Sequence, residues 1–479
     1  MSFEEDLGRF LRRADSAPAP RMPSAAEFVA TARRGLAIRR AVAATAAIAA
    51  VTAVILGTGY LTSERRQSPT PPVDSPSPAP TATKGEAARC PDAPPVSTGD
   101  DGFVAYKRDG DLRVADVTSG EDRELVAGAV RGEPPHVRVS PDGRWVAYGP
   151  GRLAPAAGGR SCAPAGDVFD LEWSPAENVF AGITRRGGVV IARPDGTRHV
   201  ALPDGWGATS VAWSPDGERI AVGRFARRGS QLRAEAGVYV IDIRAGQTSA
   251  VVEYAPDEGI APEIAAWAPD GAWILFFETF GFSASISADG GRLVAVAAAG
   301  GAPVEVAPML ATRDFLDWCG DDLVVAMGGW RDVTSGKRVA LASPPEWEPR
   351  PLRPGSEESE YWPSCSPDGG SVAVTVTEDR GGESRFGVQP RTIDFFPLSH
   401  PDQPGGFSLG SLSAEYPLWS DNAPREVTIL FVGRERASQG PAAIYLQDGK
   451  RTQHIADLGG VGSYYGHYSY AEIFDWYQP

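Results

Sequence analysis

Residues Val211–Gly223 read VAWSPDGERIAVG. An alternating run enters a tryptophan, Ser-Pro-Asp-Gly follows, and a second apolar run leads away. In Ser214–Gly217 the proline presets φ at the first central turn position, and the aspartate can bond its own backbone. The glycine supplies the left-handed conformation through which the chain re-enters the ladder as a bulge. The stretch reads as a β-hairpin, and Trp213 offers a large ring to pack between neighbouring sheets.

The same unit recurs at Val137 (VRVSPDGRWVAYG), Leu171 (LEWSPAENVFAGI), Ala265 (AAWAPDGAWILFF), Leu316 (LDWCGDDLVVAMG) and Pro363 (PSCSPDGGSVAVT). The loosest copy is PLWSDNAPREVTILFV at Pro417. Successive turns lie roughly 34 to 54 residues apart, which suits blade-sized units with variable outer loops. Second hairpins follow many copies, as in GVYVIDIRAGQTSAVV from Gly237 and GRLVAVAAAGGAPVEV from Gly291. Two hairpins per unit make a four-stranded blade, so the expected fold is an all-β β-propeller.

The chain's last residues explain how the ring closes. The segment from Phe103, FVAYKRDGDLRVADVTSGEDRELV, holds the second, third and fourth strands of a blade with no innermost strand before it. EIFDWYQP, ending at Pro479, is an innermost strand with nothing after it. Pairing the two closes the ring and removes an open sheet edge. The count is then eight blades, or seven if the short unit after Val137 is not a full blade.

The four cysteines, Cys90, Cys162, Cys319 and Cys365, show no CxxC or Cys/His metal spacing. Cys319 and Cys365 occupy nearly the same place in adjacent blades, beside the turn of the inner hairpin. Cys162 falls in the outer part of the second blade and Cys90 precedes the first. The expected disulfides are Cys319–Cys365 and Cys90–Cys162, in an oxidising compartment.

Ahead of the propeller, residues 41–61 (AVAATAAIAAVTAVILGTGYL) carry no charge and are long enough to cross a bilayer as a helix. Arg33, Arg34, Arg39 and Arg40 precede them, so the positive-inside rule puts residues 1–40 in the cytoplasm and the rest outside the cell membrane. Residues 62–89 are rich in Pro, Ser and Thr and read as a disordered stalk, with residues 90–479 as the extracytoplasmic propeller. In the tail, Phe3, Leu7, Phe10 and Leu11 share one helical face, a docking surface for a cytosolic regulatory protein.

The SPDG hairpins resemble the WD40-like propeller repeats of the TolB family, over about residues 100–479. The resemblance implies the fold, and it is compatible with periplasmic scaffolds, peptidase accessory domains and surface receptors. Residues 1–60 resemble the tails of anti-sigma-type regulators, though they lack the His and Cys-x-x-Cys signature of the zinc-binding kind.

Chemistry is sparse in the linear sequence. The formal net charge of −15 disfavours a nucleic-acid surface on the propeller. There is no HExxH, P-loop, EF-hand or G-x-S-x-G elbow, and no α/β segment follows the closing strand, which disfavours a propeller-linked serine peptidase. The scattered His136, His199, His400, His454 and His467 read as structural, and no metal or cofactor is expected. Asp142, Asp216, Asp270 and Asp368 share one turn position and read as backbone caps. Tyr464, Tyr465, His467 and Tyr468 form a candidate recognition surface, as do the insertions at 223–237 and 377–406.

The expected function is a membrane-anchored, non-catalytic sensor that binds an envelope protein or cell-surface ligand at the propeller face. Two alternatives stand beside it: a transmembrane anti-sigma-type regulator, and a propeller hydrolase or lyase with a site at the channel mouth.

Overall fold

A computed structural model describes residues 89–129, 136–225, 236–255, 259–280, 291–328, 338–378, 391–407, 409–421, 427–435, 441–459 and 472–479. These belong to a unit spanning Thr83–Pro479. Among the described residues there are eight antiparallel sheets, seven of four strands and one of three, packed blade against blade around a channel. The one helical element among them is the short 3-10 turn Arg313–Phe315. The expected anchor at 41–61, the stalk up to residue 88 and the tail residues Phe3, Leu7, Phe10 and Leu11 lie outside the described residues. No described helix is long and apolar enough to cross a membrane.

Blade 1 is the composite that the two ends of the repeat require. Phe474–Tyr477 is its inner strand, and Phe103–Arg108, Asp111–Asp116 and Asp122–Val126 follow outward. The register pairs Phe103 with Tyr477 and Tyr106 with Phe474. Blade 2 is the short one, with Arg138–Val139, Trp145–Tyr148 and Arg152–Pro155. An isolated bridge between Leu153 and Cys162 stands where its fourth strand would be. The count is therefore eight.

The inner strands of blades 3 to 8 are Val168–Trp173, Ala208–Trp213, Ile260–Trp267, Leu316–Cys319, Glu358–Cys365 and Leu412–Trp419. The second strand of a blade is covered on both faces and is accordingly rich in buried apolar residues. Ile220, Ala221 and Val222 in blade 4 are fully buried, as are Leu430, Phe431 and Val432 in blade 8. Burying side chains of this size stabilises by about 1.5–3 kcal/mol each. The insertion read as a loop at 377–406 is partly sheet: Thr392–Pro397 and Gly405–Gly406 complete blade 7. The alternation of Ile393 and Phe395 carries the strand signal that the loop reading overlooked.

The turns behave as their chemistry dictates. Ser214 Oγ accepts from Arg219 N at 2.9 Å and donates to Asp216, whose carboxylate also accepts from Glu218 N at 2.9 Å. Ser140 with Asp142, and Ser366 with Asp368, repeat the arrangement. These hydrogen bonds hold Asp216 and Asp368 below the usual carboxylate range. Gly217 sits at φ +68°, and a Cβ there would come within 2.7 Å of Ser174 in the preceding blade. The turn aspartates are caps, as their shared position suggested.

Both expected disulfides are present, Cys90–Cys162 and Cys319–Cys365, and each spans 5.2 Å between Cα atoms. In the chain-entropy picture closed loops of this size contribute roughly 4–4.5 kcal/mol. Ring closure rests on buried Phe474, which packs edge-on against Tyr416 of blade 8 at 5.6 Å. Phe474→Ala is expected to cost about 3–5 kcal/mol. Urea denaturation of the wild type and the variant checks this through the midpoint.

Candidate functional site

The repeat places equivalent inner-strand residues in rings around the channel. One ring, immediately before the tryptophan position, contains Arg138, Glu172, Asp317, Ser364 and Asp475. Another, three before it, contains His136, Asp170, Trp362 and Tyr416. All four of these have positive φ, between 37° and 56°. The last three fall where the inner ladders of blades 3, 7 and 8 shift register. Left-handed backbone at Trp and Tyr costs on the order of 1–3 kcal/mol, and such bulges turn side chains out of the regular pleat.

Polar side chains of these rings tie neighbouring blades together at five junctions. Asp475 of blade 1 accepts from Val139 N of blade 2 at 2.7 Å, and Asp170 of blade 3 from Val211 N of blade 4 at 2.9 Å. Ser210 accepts from Ile264 N at 2.7 Å, Asp317 from Cys365 N at 2.7 Å, and Ser364 from Trp419 N at 3.1 Å. Across the channel, Arg313 of blade 6 donates to Glu172 of blade 3 and to the carbonyls of Val211 and Ile264. Glu172 also lies 3.9 Å from Arg138, so one carboxylate serves two guanidiniums.

At the turn side of the channel a cavity of about 520 Å³ opens between blades 6, 7, 8 and 1. Its lining includes Asp317, Asp475, Arg138 and Tyr416 from inner strands, and Asp421 and Gln478 from the turns. Burial pushes the Asp317 carboxyl up to about 6, Asp421 adds repulsion, and the N–H groups of Cys365 and Trp318 pull the other way. Burial likewise raises Asp475, against the opposing pull of Arg138 and Val139 N. Burial holds the Tyr416 phenol well above its ordinary value, so it stays protonated. The cavity thus combines a carboxyl raised by burial, a second carboxyl near a cation, and a neutral hydroxyl. That is equipment for proton transfer.

The sequence-level candidates lie elsewhere. Tyr464, Tyr465, His467 and Tyr468 fall outside the described residues. His199 and His454 lie on outer strands, where His454 sits 2.9 Å from Asp457, and His400 is in a turn beside Ser399. Among the described residues no group of three or more His, Cys, Asp or Glu side chains could hold a metal ion. The channel residues were missed. The signal that could have found them is an acidic residue directly before tryptophan in three repeats, Glu172-Trp173, Asp317-Trp318 and Asp475-Trp476.

No protein-family model matches the sequence, and no curated protein matches it. Solved structures do. A dipeptidyl peptidase 4 from Porphyromonas gingivalis superimposes with a TM-score of 0.50 at 12% identity, covering 79% of this chain and 60% of its own. A puromycin-hydrolyzing peptidase from Mycobacterium tuberculosis gives 0.44 at 16% identity, over 80% of this chain and 56% of that one. A TolB from Agrobacterium tumefaciens gives 0.32 at 14% identity, over 55% and 84%. At these identities the likeness is one of fold, and the chain spans under two thirds of either peptidase.

One expectation is corrected. The propeller was read as a non-catalytic binding module, partly because it has no nucleophile elbow. The P. gingivalis peptidase contains the same fold, so a propeller of this kind is no ground for excluding catalysis, and the non-enzymatic reading is withdrawn.

Asp317 also makes stability depend on pH. A carboxyl whose pKa is higher folded than unfolded favours the fold fully below about pH 4, and that contribution is lost as pH rises through about 6. Asp317→Asn is expected to flatten this part of the profile. Thermal melts between pH 4 and 8 measure the slope, which separates titration from any constant cost of the amide.

Proposed function

We propose that this chain is a propeller enzyme, a hydrolase or lyase working at the turn-side mouth of the channel, with Asp317 as general acid. The observation that carries the reading is the convergence of Asp317, Asp475, Arg138 and Tyr416 on one cavity. In this scheme Asp317, partly protonated near neutral pH, gives its proton to the leaving atom. Asp475, held beside Arg138, takes a proton from water or from the substrate. Tyr416 donates to a substrate oxygen. The P. gingivalis structure is that of a dipeptidyl peptidase, which makes short peptides the first substrates to try.

A panel of short peptides, glycans and lactones tests the reading. Turnover is expected on one class, with a limb of the pH profile near 6. Asp317→Asn should lower kcat by about 10²–10⁴-fold with a smaller effect on KM. Turnover that survives Asp317→Asn unchanged would count against the assignment.

We also propose that residues 41–61 anchor the chain in the cell membrane, with the propeller outside on its 62–89 stalk and the Phe3–Leu11 face free to dock a cytosolic partner. The two disulfides support an oxidising side for the propeller. The full-length chain should stay in the membrane pellet after alkaline carbonate extraction, and a variant lacking 41–61 should not. Release of both would sink the anchor.

A further inference from the structure

The junction between blades 6 and 7 departs from the repeat. In blades 4 and 5, Trp213 and Trp267 donate their indole N–H to the carbonyls of Glu172 and Ala212 in the preceding blade, at 2.9 and 3.0 Å. In blade 7 the residue at that position is Cys365. In blades 2, 4 and 7 the residue after the tryptophan position is a serine whose hydroxyl ties the turn. In blade 6 it is Cys319. Both departures are spent on one covalent bond, Cys319–Cys365.

That bond closes a small ring around Asp317. From Asp317 the chain runs through Trp318 to Cys319, crosses the disulfide to Cys365, and returns through the Cys365 N–H, which donates to Asp317 Oδ2 at 2.7 Å. Trp318 N donates to the other oxygen at 2.8 Å. With the disulfide intact the Cys365 donor is held against the carboxylate at a high effective concentration. Without it, the Cys365 donor is placed only by the packing of the two blades and by contacts farther out, such as Val339 N on Glu360.

We propose that the Cys319–Cys365 disulfide is a positioning clamp for Asp317, holding the Cys365 N–H on its carboxylate and fixing its aim into the cavity. The proposal rests on reading Asp317 as the acid of the site. The other titratable groups facing that cavity are Asp421 and Tyr416 of blade 8, Asp475 of blade 1 and Arg138 of blade 2. Neither cysteine carries any of those charges, so removing the disulfide alters the N–H and leaves them in place.

The test reads the carboxyl itself. The full-length chain is labelled with carboxyl-¹³C aspartate, and the Asp317 resonance is the one missing from Asp317→Asn. Its titration is followed between pH 4 and 8 in the wild type, in Cys319→Ala/Cys365→Ala and in Cys90→Ala/Cys162→Ala. A backbone N–H favours the charged carboxylate, so its loss should move the midpoint upward by about one pH unit in the first pair. The second pair should not move it. An unmoved midpoint, or equal movement in both pairs, overturns the clamp.

If the first pair does not fold, folded Cys90→Ala/Cys162→Ala, whose one remaining disulfide is Cys319–Cys365, is reduced with a dithiol, and an unmoved midpoint overturns the clamp. Two electrons and two protons then pass to Cys319 and Cys365, giving two thiols, while the reagent becomes a cyclic disulfide. The two readings fail separately. Turnover that persists in Asp317→Asn removes the acid, while an unmoved midpoint removes the clamp.

Discussion

Everything in this propeller depends on four residue pairs, Phe103 to Tyr106 against Tyr477 to Phe474. Among the described residues the ladder joins the last strand to the first, and without it blade 1 would present an open edge to solvent. Its effects reach beyond one sheet. Trp476 donates to Asp101 O, Asp475 accepts from blade 2, and Gln478 accepts from Ser420 and Asp421 in the turn of blade 8. One short strand thus fastens three blades, and it carries one of the cavity's carboxyls.

Between blades the same few contacts are used in different combinations. Tryptophan reaches back to the preceding carbonyl, a carboxylate or hydroxyl receives an N–H from the next inner strand, and the turn glycine of one blade lies against the turn of the one before. Each is modest, about 0.5–1.5 kcal/mol net for a hydrogen bond. A closed ring needs all of its junctions at once, so the small terms act together. At the blade 6–7 junction a covalent bond takes the place of the tryptophan contact.

The fold was legible because its determinants are local. Pro215 and Gly217 fix a turn wherever they occur, and the period does the rest. The closing strand and both disulfides followed from counting positions within the repeat. The site was not legible in the same way. Arg138, Asp317, Tyr416 and Asp475 lie in four different hairpins spread over most of the chain, and in each hairpin the residue passes for an ordinary inner-strand side chain. Only the ring brings them together. The aromatic segment that looked most like a binding surface, at Tyr464–Tyr468, lies outside the described residues.

The aspartates carry the general point. Asp216 and Asp368, in intact turns, are solvated, capped by serine hydroxyls and backbone N–H groups, and shifted downward. Asp317 and Asp475, one step before the tryptophan position, are shifted upward by burial despite their own N–H donors. The side chain is the same and the shift is opposite, because position in the repeat decides whether solvation or burial wins. The upward-shifted pair stands where the repeat is broken, at the disulfide junction and at the closing strand. Eight near-equivalent hairpins would give a symmetric channel with no preferred place for chemistry. The irregularities of blades 1, 6, 7 and 8 set this cavity apart from the rest of the channel.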